Sequence, residues 1–283
     1  MIRLVSCDLD GTLLDSRAHI RPRSGDVLRA LGAQGIIVAL ATGRSWRTAY
    51  RVQKRLGLSG PIIAHNGAYG FFSDTGREWH RRGIPLSRAQ EFVRWADRQR
   101  VMIRCYLGFR QPVVYNRFDL AHQLVWMKPE DRLVPHLAER LTVEPLEIFV
   151  SGLREVDALV QDFGLSGSDY ELTIFPHPGY REVNICAPGV DKKEGLESLC
   201  QLLQISPSDV LALGDGLNDV EMLRWAGVSV AVGDGARAAH QVADYITPPG
   251  HPDPVHDGIF WAWAKGLLPT LDVAQAFLGQ ASS

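Results

Sequence analysis

Cys7-Asp8-Leu9-Asp10-Gly11-Thr12-Leu13-Leu14 follows directly on an apolar run, Ile2-Arg3-Leu4-Val5-Ser6. The run reads as the first strand of a buried sheet. Two carboxylates therefore stand where a strand stops. Residues i and i+2 of an extended chain point to one side, so Asp8 and Asp10 are expected to converge. Gly11 lets the backbone turn away, and Thr12 adds a hydroxyl beside them. Two close carboxylates repel, and one keeps its proton unless a cation is near. The stretch suits an acid/base pair, a metal site, or both; a plain turn is the alternative, since Asp and Gly commonly follow strands. An EF-hand loop does not fit, because Gly11 comes directly after Asp10 and a strand precedes it.

The chain on either side decides between these readings. Pro22 to about Gly35 reads as a helix with Pro in its first turn. Ile36 to Ala41 is a continuous apolar run, as a strand covered on both faces would be. It stops at Thr42-Gly43-Arg44-Ser45, and a helical pattern follows to Leu56. Pro61 to His65 is another short strand, ending at Asn66-Gly67. Strand–helix alternation of this kind indicates an α/β fold with a Rossmann-like parallel sheet. Ligands bind outside the strand ends of such sheets. Thr42 and the amides beside it could hold an anion there; taken alone, Thr-Gly before a helix reads mostly as capping.

From Ala68 the pattern changes. Tyr69 to Trp79 looks like a hairpin turning at Ser73 to Gly76. Ser87 to Arg100 reads as a helix with Ser87 as its N-cap. Strands are expected at 101–106, 113–116 and 147–151, polar Pro-broken helices over 118–141, and a helix over 154–163. Glu171 to Phe175 and Arg181 to Cys186 are expected as an antiparallel pair around Pro176-His177-Pro178-Gly179, whose polar neighbours His177, Tyr180 and Arg181 could meet a ligand but read more readily as ordinary hairpin residues. This block is α+β in character. The expected organisation is a core domain of residues 1–83 and 187–283 with an α+β domain of residues 84–186 inserted into it.

The α/β pattern returns at Pro188. Asp191-Lys192-Lys193-Glu194 opens a helix, Asp209 to Leu213 is a strand ending in Gly214-Asp215-Gly216-Leu217-Asn218-Asp219, and Val228 to Val232 is a strand ending in Gly233-Asp234-Gly235. A last helix is expected from Val255 to Leu267. Lys192 sits at a helix start, where the helix dipole does not favour it, and alone reads as a solvated side chain. Asp215 and Asp219 alone read as helix N-terminal carboxylates. Together, four carboxylates at one sheet edge are costly without counter-charge. Mg²⁺, a hard, oxygen-liking ion, is the natural partner. Lys192 and the loop amides would balance a phosphoryl group, whose transfer needs positioning and charge neutralisation above all.

Composition narrows the classes. The chain has 283 residues, 46% of them hydrophobic, which suits sizeable cores and not disorder. A net charge of −2 disfavours a general nucleic-acid binder. No apolar run is long enough to span a bilayer, and the start carries no signal-peptide pattern, so no membrane partner is expected. The four cysteines, Cys7, Cys105, Cys186 and Cys200, are scattered without CxxC spacing, which suits small buried hydrophobes in a reducing, cytoplasmic setting.

The ordered set DLDGTLL (Asp8 to Leu14), ATGR (Ala41 to Arg44), NGA (Asn66 to Ala68), GVDK (Gly189 to Lys192) and GDGLND (Gly214 to Asp219), with a long insert, resembles the haloacid dehalogenase (HAD) superfamily, and within it the Cof-type phosphatases. The resemblance implies a HAD core carrying a C2-type cap, a lid that closes over the site and selects the leaving group. It implies Asp8 as the nucleophile of an aspartyl-phosphate and Asp10 as acid/base. Thr42, Gly43, Lys192 and Asn218 are implied at the phosphate, and Arg44 and Asn66 on the substrate side. Asp8, the carbonyl of Asp10, Asp215 and Asp219 are implied around Mg²⁺; Lys193 has no role. One departure is Asp234-Gly235 where relatives usually carry Asn-Ala. It would either disfavour highly charged substrates or cap the next helix. The function expected is a Mg²⁺-dependent phosphomonoesterase acting on a small sugar or cofactor phosphate, as a monomer or weak homodimer. A phosphomannomutase-type phosphotransferase and a non-catalytic phosphoryl-binding module are the alternatives. The physiological substrate is not legible in the residues.

Overall fold

The computed structural model describes residues 1–117 and 128–268. The chain opens with β1 (Leu4–Cys7), α1 (Pro22–Ala33), β2 (Ile37–Ala41), α2 (Trp46–Arg55), β3 (Pro61–Ala64), β4 (Tyr69–Phe72) and β5 (Glu78–Arg81). There follow α3 (Leu86–Gln99), β6 (Arg104–Tyr106), β7 (Val114–Tyr115), β8 (Arg132–Leu133), α4 (Leu137–Arg140), β9 (Glu147–Ser151), α5 (Leu153–Phe163), β10 (Glu171–His177) and β11 (Tyr180–Cys186). The chain continues with α6 (Lys192–Leu203), β12 (Val210–Gly214), α7 (Val220–Trp225), β13 (Val228–Ala231), α8 (Arg237–His240), β14 (Tyr245–Ile246) and α9 (Pro254–Ala264). Two compact units result, residues 1–80 with the chain from Asp191 onward, and Arg81–Val190.

The first unit is an α/β fold. Its sheet runs β14-β13-β12-β1-β2-β3-β4-β5, parallel from β14 to β3 and antiparallel from β3 to β4. All four residues of β1 are buried, as expected of a parallel strand with helices on both faces. Leu4, Ala39, Ala41, Ile63, Val210 and Ala212 from the strands pack with Leu196, Leu199 and Met222 from the helices.

Strand order places the site. From β1 the chain runs outward through β2 and β3; when it returns, it occupies the other side of β1 through β12, β13 and β14. The order therefore reverses between β1 and β12, and an open α/β sheet has its ligand crevice at such a reversal, beyond the carboxyl ends of the strands. The register Cys7↔Leu213 and Cys7↔Leu40 brings Asp8, Gly214 and the Thr42 turn to that edge.

The second unit carries a sheet of order β10-β11-β9-β6-β7-β8, antiparallel except for β7 with β8. Ile148 and Val150 of β9 and Val183 and Ile185 of β11 alternate along their strands and pack with Phe92, Trp95 and Leu159 of the helices. At the hairpin tip His177 stacks on Tyr180, with centroids 4.4 Å apart, and pairs with Glu182 at 3.3 Å.

Two expectations need correction. Helix α3 begins at Leu86 behind Pro85, and Ser87 lies inside its first turn with no capping bond. Proline presets the entry at Pro85 and leaves the serine two residues past the cap. Of the helices expected over 118–141, residues 118–127 lie outside the described residues. The remainder holds β8 and the one-turn α4. Between Pro129 and Pro135 the backbone pairs with its neighbour instead, Arg132 N–H donating to Val113 O and Val134 N–H to Tyr115 O.

Candidate active site

Asp8 leaves the end of β1 with its N–H still bonded to Leu213 O at 3.0 Å. Its side chain is only 6% exposed, and Lys192 Nζ donates to its Oδ1 at 2.5 Å. The same ammonium donates to Asp219 Oδ1 at 2.6 Å. Lys192 is thus a buried bridge, 1% exposed, and not the solvated side chain that its place at a helix start suggests when read alone. Asp191 caps α6 by accepting from Glu194 N at 2.8 Å, which fixes where Lys192 leaves the helix.

The loop after β12 is built around Asp219. Its Oδ2 accepts the N–H groups of Asp215 at 3.0 Å and Gly216 at 2.8 Å. Asp215 Oδ1 accepts from the Thr12 hydroxyl at 2.8 Å. Gly11 has φ +81°, and a Cβ there would lie 2.3 Å from Asp215 Oδ2. Glycine is required at that position by both backbone and space. Oxygens of Asp8, Asp215 and Asp219 all lie within 4.8 Å of one another.

Three carboxylates share one ammonium in a buried place. Burial, then repulsion from Asp219 and Asp215, outweighs Lys192 and pushes Asp8 up to about 8. Burial raises Asp215 as well, against the Thr12 bond. Burial works against the Lys192 charge, but Asp8 and Asp219 overcome it and raise its pKa. The surplus of negative charge, all on oxygen, fits a hard divalent cation. A stability effect follows. The folded pKa of Asp8 exceeds the ordinary carboxyl value of about 4, so its protonation favours the folded state. That contribution is complete below the ordinary value and is lost as pH rises through about 8. A divalent cation competes with the proton for the same oxygens. Added Mg²⁺ is therefore expected to raise the melting temperature more at pH 8 than at pH 5; an equal shift at both would remove Asp8 from the ligand set.

Thr42 is fully buried, with N–H bonded to Ile63 O. Its hydroxyl accepts Arg44 N at 3.1 Å and caps no helix; Ser45 occupies the N-cap position of α2. The turn after β3 crosses this loop: Asn66 N–H donates to Thr42 O and His65 N–H to Arg44 O. His65 and Asn66 are both left-handed, φ 53° and 56°. Asn66 Oδ1 accepts from Asn218 Nδ2 at 2.9 Å, so the residues assigned to the substrate and phosphate ends touch. The same Oδ1 stands 2.7 Å from where a Cβ on Gly43 would be. Asp10 is turned to Arg44, whose Nε donates to its Oδ2 at 2.6 Å and Nη2 to its Oδ1. β1 ends at Cys7 and the backbone turns after it; Asp8 pairs with Lys192 and Asp10 with Arg44.

Sequence reasoning assigned no role to His65, which is buried and whose Nε2 accepts Trp46 N at 3.2 Å, fixing the start of α2. Its signal was a polar residue closing an apolar strand. Thr12 was seen beside the carboxylates but not tied to Asp215. The Asp234 departure resolves locally: both its oxygens accept Gly250 N, at 3.0 and 2.9 Å, so it braces the loop after β14 and does not cap α8. At Gly235 a Cβ would come 2.6 Å from Asp215 O, so the small residue lets the two loops meet.

An open α/β sheet with a lysine-bridged carboxylate cluster at its strand-order reversal places a charged cluster where such sheets bind their ligands. A family model for haloacid dehalogenase-like hydrolases matches residues 5–259, and the chain belongs to that family. It is 24% identical over 265 residues to the 5-amino-6-(5-phospho-D-ribitylamino)uracil phosphatase YitU of Bacillus subtilis, covering 89% of this chain and 94% of that one. It is 26% identical over 272 residues to the chloroplastic endoribonuclease YBEY of Arabidopsis thaliana, covering 90% of this chain; it spans only 46% of that protein's length. A crystal structure of a hypothetical protein from Geobacillus kaustophilus shares the fold, with TM-score 0.76 and 23% identity, covering 95% of this chain and all of the other. Among the described residues no helix is long and apolar enough to cross a membrane.

Proposed function

We propose that this enzyme is a Mg²⁺-dependent phosphomonoesterase that hydrolyses a small phosphorylated metabolite through a phosphate ester of Asp8. The observation that carries the reading is the buried Asp8–Lys192–Asp219 bridge beside Asp215, placed at the reversal of strand order. The phosphatase named among its relatives supports it. Asp8 Oδ attacks phosphorus as the bond to the leaving oxygen breaks, and Asp10 gives that oxygen its proton. Water then attacks phosphorus and yields a proton to Asp10, and the bond to Asp8 breaks, releasing inorganic phosphate. Thr42, Gly43, Lys192 and Asn218 hold the phosphoryl oxygens. Arg44 and Asn66 serve the substrate side. Asp8, the carbonyl of Asp10 and Asp215 are the proposed Mg²⁺ ligands, with Asp219 in support because its oxygens already hold Lys192 and two amides. The ion supplies charge neutralisation at the phosphoryl group.

The inserted unit is assigned the family's cap role. A cytoplasmic location and a monomer or weak homodimer accompany the reading. The free thiols of Cys7, Cys105, Cys186 and Cys200 support a reducing compartment. The test is phosphate release from sugar phosphates, phosphoglycolate, flavin mononucleotide, pyridoxal phosphate and phosphorylated ribitylaminouracil, with Mg²⁺ and with EDTA. Release with Mg²⁺ and none with EDTA is the expected result. Transfer to a second hydroxyl without free phosphate would instead favour a mutase.

A further inference from the structure

Asp10 stands apart from the three clustered carboxylates. Its side chain is 55% exposed, whereas that of Asp8 is 6% exposed. It lies in the tight turn closed by Leu14 N–H on Leu9 O, one residue before the left-handed Gly11. An exposed carboxylate in a turn samples several rotamers. A proton donor and acceptor, however, must hold its place: a misplacement of about 1 Å can cost about 10²-fold in rate. Something has to aim Asp10.

Arg44 has the geometry to do so. Its Nε and Nη2 engage both Asp10 oxygens as one planar fork, which fixes the carboxylate's orientation as well as its position. The base of the fork is itself pinned on both sides, by Arg44 N–H on Thr42 Oγ1 at 3.1 Å and by His65 N–H on Arg44 O at 3.0 Å. A lysine in its place would offer a point charge and no plane. The fork, spent on a carboxylate, is also not presented to a phosphoryl group.

We propose that Arg44 is the positioning residue of Asp10, aiming its carboxylate for both proton transfers, and does not itself bind phosphate. This rests on the phosphatase reading above. In the first half-reaction Asp10 gives its proton to the leaving oxygen as the bond from phosphorus to that oxygen breaks. In the second it takes one from the water that displaces Asp8. Loss of Arg44 should slow each step that needs Asp10 and spare a step that does not.

The experiment compares wild type, Arg44→Ala and Arg44→Lys, as full-length protein, by rapid quench on two substrates. One is p-nitrophenyl phosphate, whose leaving group departs without a proton. The other is the best alkyl phosphate from the substrate panel. Arg44→Ala is expected to lower kcat on the alkyl phosphate by about 10²-fold with little change in KM. On p-nitrophenyl phosphate it should keep the burst of p-nitrophenolate and accumulate phosphoenzyme, because only dephosphorylation has slowed. Arg44→Lys should recover a minor part of the loss; it also carries the test if the alanine variant does not fold. A raised KM on both substrates with kcat kept, or a burst lost along with alkyl turnover, would assign Arg44 to the phosphoryl group and overturn the proposal. Unchanged kinetics would overturn it too. If the wild type releases no phosphate from any substrate, the functional reading has failed and not this inference alone.

Discussion

Replacing Asp8 with Asn should lower phosphate release by about 10⁴-fold or more, the scale set by removing an essential nucleophile from an active site. The same change should leave the melting temperature at pH 8 unchanged or raised. An amide has the carboxylate's shape but cannot form the ester with phosphorus. Stability moves the other way because Asp8 is a costly charge. Burial and the repulsion of Asp219 and Asp215 push it up to about 8, so at pH 8 about half of the wild-type molecules hold an ionised group that the fold disfavours. Asn removes that charge. Lys192 keeps Asp219 at 2.6 Å, so its ammonium does not lose every partner. Circular-dichroism melts beside phosphate assays check both halves. Turnover within about tenfold of wild type would end the case for Asp8 as nucleophile.

How much of this could be read from the chain depended on the range of the interaction. β1, β2, β3 and β12 were legible because a strand buried on both faces leaves a continuous apolar run, and Leu4 to Cys7 is buried throughout. The five motifs were legible as an ordered set, and the register between β1 and β12 turns their order into proximity. The cations' partners were not legible from local position; only the family resemblance set Lys192 against Asp8. Lys192 looked solvated because helix position is a local argument, while its partners Asp8 and Asp219 lie 184 and 27 residues away. Nothing in Thr42-Gly43-Arg44 shows that Asp10, 34 residues earlier, takes the Arg44 fork. Asp234 looked like a helix cap because only the fold brings Gly250 to it.

Lys192→Met should cost about 3–5 kcal/mol at pH 8 without metal, the scale for removing one member of a buried ion pair. Methionine keeps the length and packing of the side chain and removes the charge. What remains is Asp8, Asp215 and Asp219 with oxygens within 4.8 Å of each other and no ammonium among them. Asp219 cannot turn away, because its other oxygen holds the Asp215 and Gly216 amides. The cost is expected to shrink toward pH 5. Asp8, raised to about 8, is protonated at pH 5 with or without Lys192. Asp215, raised by burial, loses the Lys192 charge that holds it down, and at low pH it takes a proton in place of the lost cation. Mg²⁺ should restore more stability to this variant than to the wild type, since it supplies the missing charge. The neighbouring Lys193 provides the control. It pairs with Glu197 at 2.6 Å on an exposed helix face, where such a pair is worth about 0.3–0.5 kcal/mol. Denaturant melts of Lys192→Met and Lys193→Met at pH 5 and pH 8 should therefore differ widely at pH 8 and draw together at pH 5. If the two variants matched at pH 8, Lys192 would not be balancing the Asp8, Asp215 and Asp219 cluster, and the electrostatic account of the site would fall.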